Sequence, residues 1–274
     1  MNPEKITPLT DVAYWDRTWA QRAVPAPLNP DPPGLNGEVP RRWHGFFAGL
    51  FARLGIAPGD RLLEAGAGGS VFLPYFAQRF GLLADGIDNS PEGCELSQAI
   101  AARAGTANQI MLGDVFDPPA GLCARYRVVF SMGLAEHFRP TTAIIAALAR
   151  FLEPGGWLVT AVPNMHGLPG ALQRVIDPVV FAAHVPLSPA QLAHAHQACG
   201  LAIVEARHLM SVNLSVLNFD GPHSRVPARI GLRAASWLSK ALWIMERAGL
   251  PERPNRITSP WVTVVARASP ASSP

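Results

Sequence analysis

Glu64-Ala65-Gly66-Ala67-Gly68-Gly69-Ser70 stands where a short apolar run meets a helix-forming stretch. Glycines lack a Cβ, so the backbone can turn tightly there and approach a ligand closely, and the start of the helix presents free amide donors. Two acids follow where later apolar runs end. Asp88 lies about twenty residues beyond the glycines, where a carboxylate can accept both hydroxyls of a ribose. Asp114 ends the next run, where a carboxylate can accept the exocyclic amine of an adenine. Three successive strand ends thus offer a backbone cradle, a ribose clamp and an adenine reader. They suit a small molecule that carries a nucleoside.

Strands must end in one row for these groups to converge, and the punctuation of the chain supplies them. Residues 61–64 read as a strand and 71–80 as a helix stopped by Gly81. A second strand spans 82–87. Ser90-Pro91 then opens a helix with a capping hydroxyl and a proline at the first helical position, and it ends near Gly105. Strands follow at 109–112 and 127–130, a helix at 141–152 before Pro154-Gly155-Gly156, and a fifth strand at 157–162. Ser188-Pro189 starts another helix, closed by Gly200 before a strand at 201–206, and a last strand falls at 260–265. This alternation predicts an α/β, Rossmann-like fold: an open, mostly parallel sheet with helices on both faces.

Residues 1–45 differ from the 46–274 domain. Tyr14, Trp15, Trp19 and Trp43 flank a proline-rich stretch, 25–40, that cannot form a regular helix or central strand, so a short helix and an extended strap are expected before a helix at 46–54. Two segments exceed the needs of the sheet, 164–187 and 211–259. Ligands of open α/β sheets bind at the carboxyl ends of the strands, so these segments are expected to cap that edge.

Composition narrows the classes. With 49% hydrophobic and 16% charged residues a core can be buried, and wholesale disorder is excluded. A net charge of +3 does not indicate a nucleic-acid partner, and the surplus lies in 205–274, with nine basic against four acidic side chains. Cys94, Cys123 and Cys199 have no C-x-x-C spacing, which argues against a disulfide framework or zinc knuckle and for a reduced, cytoplasmic setting. The stretch 1–10 carries Glu4 and Lys5 with no apolar run behind them, so no signal peptide is expected. The uncharged stretch 178–204 is too rich in proline and histidine to span a membrane.

As a set, Glu64-x-Gly66-x-Gly68, "GIDNS", "GDVFD", "VVFSMGLAEHF" and "LEPGGWLVTAVPN" resemble the class I S-adenosylmethionine-dependent methyltransferases over residues 61–206. The resemblance implies a seven-stranded sheet with an antiparallel last strand and S-adenosyl-L-methionine as cofactor. It implies that Gly66 and Gly68 line the methionine part, with Glu64 at the same turn. Asp88, with Asn89 beside it, would hold the ribose, and Asp114 with Val115 would read the adenine. Ser131 and Met132 would lie near the transferred methyl. Ser70 stands where that family often has a third glycine. The rival reading, a nicotinamide-dependent oxidoreductase, meets Val71 where its fingerprint needs Gly or Ala, and it has little use for Glu64 or Asp114.

Methyl transfer from a sulfonium is an in-line displacement, and a base is needed only when the nucleophile arrives protonated. His137, beside Glu136, is the candidate base and a substrate contact; its alternative role is to order the loop by bonding backbone. Asn164, His166 and His184 are further candidates for substrate contact. No metal is expected, because Ser131 occupies the position where a metal-binding Asp would follow "VVF" and His194-x-His196 lacks the i,i+4 spacing and reads as surface. The absence of an Asn/Asp-Pro-Pro-Tyr/Phe signature argues against amino groups of nucleic-acid bases. Tyr14 and Trp19, with Trp15, could shield the sulfonium or simply anchor the N-terminus.

Residues 227–248 read as a basic amphipathic helix, with a stripe of Arg229, Arg233, Lys240 and Arg247. Its apolar face (Ile230, Ala234, Trp237, Ala241, Ile244 and Met245) is expected to pack on the domain, with a membrane surface as the alternative partner. The expectation is therefore a methyltransferase for a small-molecule acceptor, most simply a hydroxyl of a secondary metabolite, sugar or lipid-like ring. The alternatives are a membrane-associated quinone or lipid methyltransferase and a non-catalytic S-adenosylmethionine-binding partner protein.

Overall fold

The computed structural model describes residues 6–20, 22–219, 221 and 223–270. Glu4 and Lys5, which carry the expectation about a signal peptide, lie outside them. Seven strands form one sheet: β1 (Arg61–Ala65), β2 (Leu83–Asp88), β3 (Ile110–Leu112), β4 (Tyr126–Met132), β5 (Leu152–Pro163), β6 (Ala202–Leu209) and β7 (Trp261–Arg267). The order is β3-β2-β1-β4-β5-β7-β6, and β7 runs antiparallel to both of its neighbours. The fold class and the antiparallel last strand are as expected.

Side chains alternate along a strand, so the two faces need two cores. Leu62 and Leu63 fall accordingly into different buried clusters. One face is closed by α2 (Glu38–Leu54), whose Trp43, Phe47 and Leu50 pack against Phe76 and Phe130. The other is closed by α5 (Thr141–Ala149) and α8 (Pro189–Ala198), through Ile144, Leu148 and Leu192. Helix α2 starts earlier than expected and includes Pro40, which the first turn tolerates because its missing N–H has no partner to lose. Helix α5 ends at Ala149, and Leu152 already belongs to β5.

The expected caps hold. The Ser90 hydroxyl accepts from Gly93 N at the start of α4 (Pro91–Ala104), and Ser188 and Gln191 form a reciprocal box on α8. His196, expected at the surface, is fully buried. Its Nδ1 faces Leu192 O and its Nε2 lies 3.0 Å from Thr160 Oγ1. Its neighbour His194 is the exposed one.

The first long segment holds elements that the sequence did not reveal. Helices α6 (Leu168–Ile176) and α7 (Pro178–Ala182) follow β5. Helix α9 (Ala228–Arg247) lies over a satellite core of Ile176, Leu214, Phe219 and Trp243. Its orientation corrects the expectation: the buried stripe is Gly231, Ala235, Ser239 and Trp243, while Ile230, Trp237, Ile244 and Met245 are exposed. Small residues let the backbone come close, and a Cβ on Gly231 would meet the Phe219 ring at 2.2 Å. Trp243 Nε1 donates to Val212 O at 3.0 Å. Lys240 and Arg247 are spent on Asn36 and Glu38, tying α9 to the start of α2. Among the described residues no helix is long and apolar enough to cross a membrane.

Candidate functional site

A cavity of about 640 Å³ opens at the carboxyl edge of β1, β2, β4 and β5. Glu64, Gly66, Gly68, Asp88, Asn89 and Met132 line it, as do Tyr14 and Trp19 from α1 (Val12–Ala20). His137 and His184 line it as well.

The glycine turn is fixed by hydrogen bonds from both sides. Gly66 N and Ala67 N donate to Ile87 O, and Gly68 N donates to Asp88 Oδ2 at 2.7 Å. The other oxygen of Asp88 accepts from Ser90 N at 2.8 Å. Burial raises the carboxyl's pKa, and these amides pull it back toward the charged form. Ser70 has a role that glycine could not fill. Its hydroxyl donates to Glu64 Oε2 at 2.5 Å and accepts from Phe72 N and Leu73 N, capping α3 (Phe72–Phe80). Burial pushes Glu64 up to about 8 despite that bond, and the nearby Asp88 charge adds to the rise.

Trp19 lies along the turn. A Cβ on Gly68 would fall 2.7 Å from the indole Nε1, and one on Gly93 would fall 2.9 Å from its Cδ1. Trp15 stacks on Trp19 at 6.1 Å and meets the His137 ring edge-on at 5.1 Å. The chain before α1 is fastened at the same place. Thr7–Pro8 pairs antiparallel with Phe138–Arg139, and Leu9 N donates to His137 O at 2.8 Å.

Beyond Met132 the chain turns through Glu136 and His137, both buried. His137 Nδ1 faces Ala183 O at 2.7 Å, and His184 Nδ1 faces Val180 O at 2.6 Å. A carbonyl only accepts, so each Nδ1 carries the proton and each Nε2 keeps its lone pair. Burial lowers both imidazoles; the neighbouring His184 adds to the effect on His137, which falls to about 3. Burial also pushes Glu136 up to about 8, and its Oε2 has no hydrogen-bond partner among the described residues.

Five expected site residues lie outside this cavity. Asn164 is buried and donates to Arg256 O and Ser259 O, so it fastens the second long segment to the end of β5. His166 is exposed and faces Gln191. Asp114 is exposed beyond β3, its Oδ1 accepting from Phe116 N, and Val115 packs into the core. Ser131 is fully buried within β4. Sequence reasoning missed Gln173 and Asn218, which bond each other through Gln173's amide and Asn218's backbone and close the cavity from the long segments. No local pattern signals a contact between residues so far apart in the chain.

A family model described as a methyltransferase domain matches residues 36–206. A ubiquinone biosynthesis O-methyltransferase of Burkholderia thailandensis is 26% identical over 215 residues, which cover 75% of this chain and 86% of the relative. Among solved structures, a proposed sarcosine dimethylglycine methyltransferase from Galdieria sulphuraria superposes with a TM-score of 0.60 at 16% identity, covering 94% of this chain and 98% of that one. Phosphoethanolamine N-methyltransferase 2 of Haemonchus contortus, in complex with S-adenosyl-L-methionine, superposes with a TM-score of 0.55 at 16% identity, covering 83% of this chain and 53% of that one. At these identities the structures speak for the fold alone.

Proposed function

We propose, for a chain that belongs to the methyltransferase-domain family and takes its methyl group from S-adenosylmethionine, that the acceptor is a hydroxyl of a small, largely apolar molecule. The carrying observation is the cavity itself, which runs from the glycine turn to the buried Glu136-His137-His184 cluster and has the volume of a small-molecule site. In this reading Gly66, Gly68, Asp88 and Asn89 hold the cofactor, and Met132 lies beside the transferred methyl. Tyr14, Trp15 and Trp19 shield the sulfonium, with the N-terminal segment and both long segments acting as a cap. His137, whose Nε2 keeps its lone pair, is the candidate to receive a hydroxyl proton. The O-methyltransferase relative supports an oxygen acceptor. Formation of S-adenosylhomocysteine across matched panels of phenols, catechols and amines tests the proposal; turnover of amines alone would overturn it.

Glu64 gives this reading a pH signature. Its carboxyl is neutral below about 8 in the free protein, whereas a cationic ligand beside it favours the ionised form. Binding must therefore expel a proton at lower pH, and S-adenosylmethionine affinity should fall as pH drops below about 8. Calorimetry in buffers of different ionisation enthalpy should show proton release at pH 7, absent in Glu64→Gln.

A second reading, action at a membrane surface, is favoured by α9. Trp237 is 74% exposed, with Ile230, Leu238 and Ile244 beside it, and Leu232 of the same helix lines the cavity. Arg229 and Arg233 flank this apolar strip, an arrangement suited to anionic lipid. The protein should sediment with anionic vesicles at low salt, less at high salt, and much less as Trp237→Glu. A lipid-like acceptor would then enter from that side.

A further inference from the structure

We propose that Glu136, His137 and His184 form a binding site for one divalent transition-metal ion, best matched to zinc, on the acceptor side of the cavity. One ligand atom from each residue can be chosen so that all three lie within 4.8 Å of one another, with Glu136 Oε1 3.8 Å from His137 Nε2. Donors on a tetrahedral zinc at ordinary bond lengths sit roughly 3.4 Å apart, so small side-chain rotations close the site.

Three further observations point to a ligand. Each histidine gives its Nδ1 proton to a backbone carbonyl, which fixes the ring and leaves Nε2 unprotonated, the arrangement metal-bound histidines adopt. Glu136 is 1% exposed, and its Oε2 has no partner among the described residues, a cost that a cation would remove. The two segments that supply the donors are joined by backbone, since Val185 N donates to Glu136 O at 2.7 Å.

Two nitrogens and one carboxylate oxygen suit zinc better than magnesium or calcium, and three protein ligands leave a fourth position open. The site stands on these three side chains; the role given to the ion rests on the hydroxyl-acceptor reading. There the acceptor oxygen takes the open position and loses its proton to water more readily. As its new bond to the methyl carbon forms, the carbon–sulfur bond breaks and sulfur keeps the electron pair. The expectation of no metal rested on Ser131 and the His194-x-His196 spacing. Neither touches this cluster, whose third member comes from the end of the α6–α7 segment.

The test uses the full chain, stripped of metal and titrated with Co²⁺ as a spectroscopic stand-in for zinc. Visible absorption bands should saturate at one Co²⁺ per chain and be displaced by Zn²⁺. His184→Ala and Glu136→Gln should weaken binding by at least about 100-fold while S-adenosylhomocysteine binding persists. Absence of bands, or unchanged Co²⁺ affinity in both variants, would overturn the site. Should the variants fail to fold, X-ray absorption of the zinc-loaded parent decides: two imidazole nitrogens support the proposal, and an oxygen-only or sulfur-containing shell overturns it. Methyl transfer to hydroxyls without Co²⁺ binding would sink the metal site and leave the acceptor reading standing. Co²⁺ binding without hydroxyl turnover would support the site and count against that reading.

Discussion

Asp88→Ala should weaken S-adenosylmethionine binding by at least about 100-fold, with the thermal midpoint lowered by only a few degrees. The carboxylate has two tasks. It accepts from Gly68 N and Ser90 N, which holds the glycine turn against the start of α4. It also faces the cavity, where the ribose hydroxyls are proposed to bond. Hydrogen bonds to a charged group contribute roughly 1.5–3 kcal/mol each, so losing the pair alone accounts for the expected drop. Alanine additionally releases the turn, on which Trp19 rests. Asp88→Asn should fall in between, because its amide group must set a donor against one of the two backbone donors. Calorimetric titration measures all three proteins. Wild-type affinity in Asp88→Ala would mean that the cofactor lies elsewhere.

Removing residues 1–22 should lower kcat/KM by at least about 100-fold and weaken cofactor binding about 10-fold, yet leave the fold intact. No residue of α1 is buried, and none belongs to the hydrophobic clusters, so the cores do not depend on it. Cutting after Arg22 also spares Leu28, which does pack on the α2 face, and Asp31, which pairs with Arg79. Three aromatic rings proposed to shield the sulfonium would be lost; each cation–π contact contributes about 0.5–2 kcal/mol, and water would then reach the methyl. Circular dichroism and thermal melts check the fold, and methyl transfer with a fixed acceptor checks the rate. Collapse of the fold would show that the segment is an anchor.

The legibility of this protein follows the range of the interactions involved. Strand ends were readable because local chemistry marks them: Gly66 and Gly81 must take left-handed conformations, at φ 77° and 65°, and Ser90 and Ser188 cap helices one residue away. Glu64, Gly68 and Asp88 were readable for the same reason, since one βαβ unit brings them together. Asn164 and His166 were polar residues near the right edge, but their partners, Arg256, Ser259 and Gln191, lie 25 to 95 positions away and draw them from the cavity. The α9 face was misjudged because apolarity shows which residues prefer burial. It does not show that Gly231, Ala235 and Ser239 permit the closer approach that decides the matter. Glu136 stood beside the candidate base without a signal of its own, because the role proposed for it depends on His184 arriving from the end of a different segment.

The position of Trp19 across Gly68 and Gly93 has a kinetic consequence. If the nucleoside lies along the glycine turn as proposed, the seated indole stands in its way, and α1 would have to swing aside for the cofactor to exchange and settle back before the methyl moves. An acceptor that enters beside Leu232, which also lines the cavity, would leave α1 in place. Such a lid would impose an order of events: donor first and spent donor last, with acceptor and product exchanging while the aromatic door stays shut.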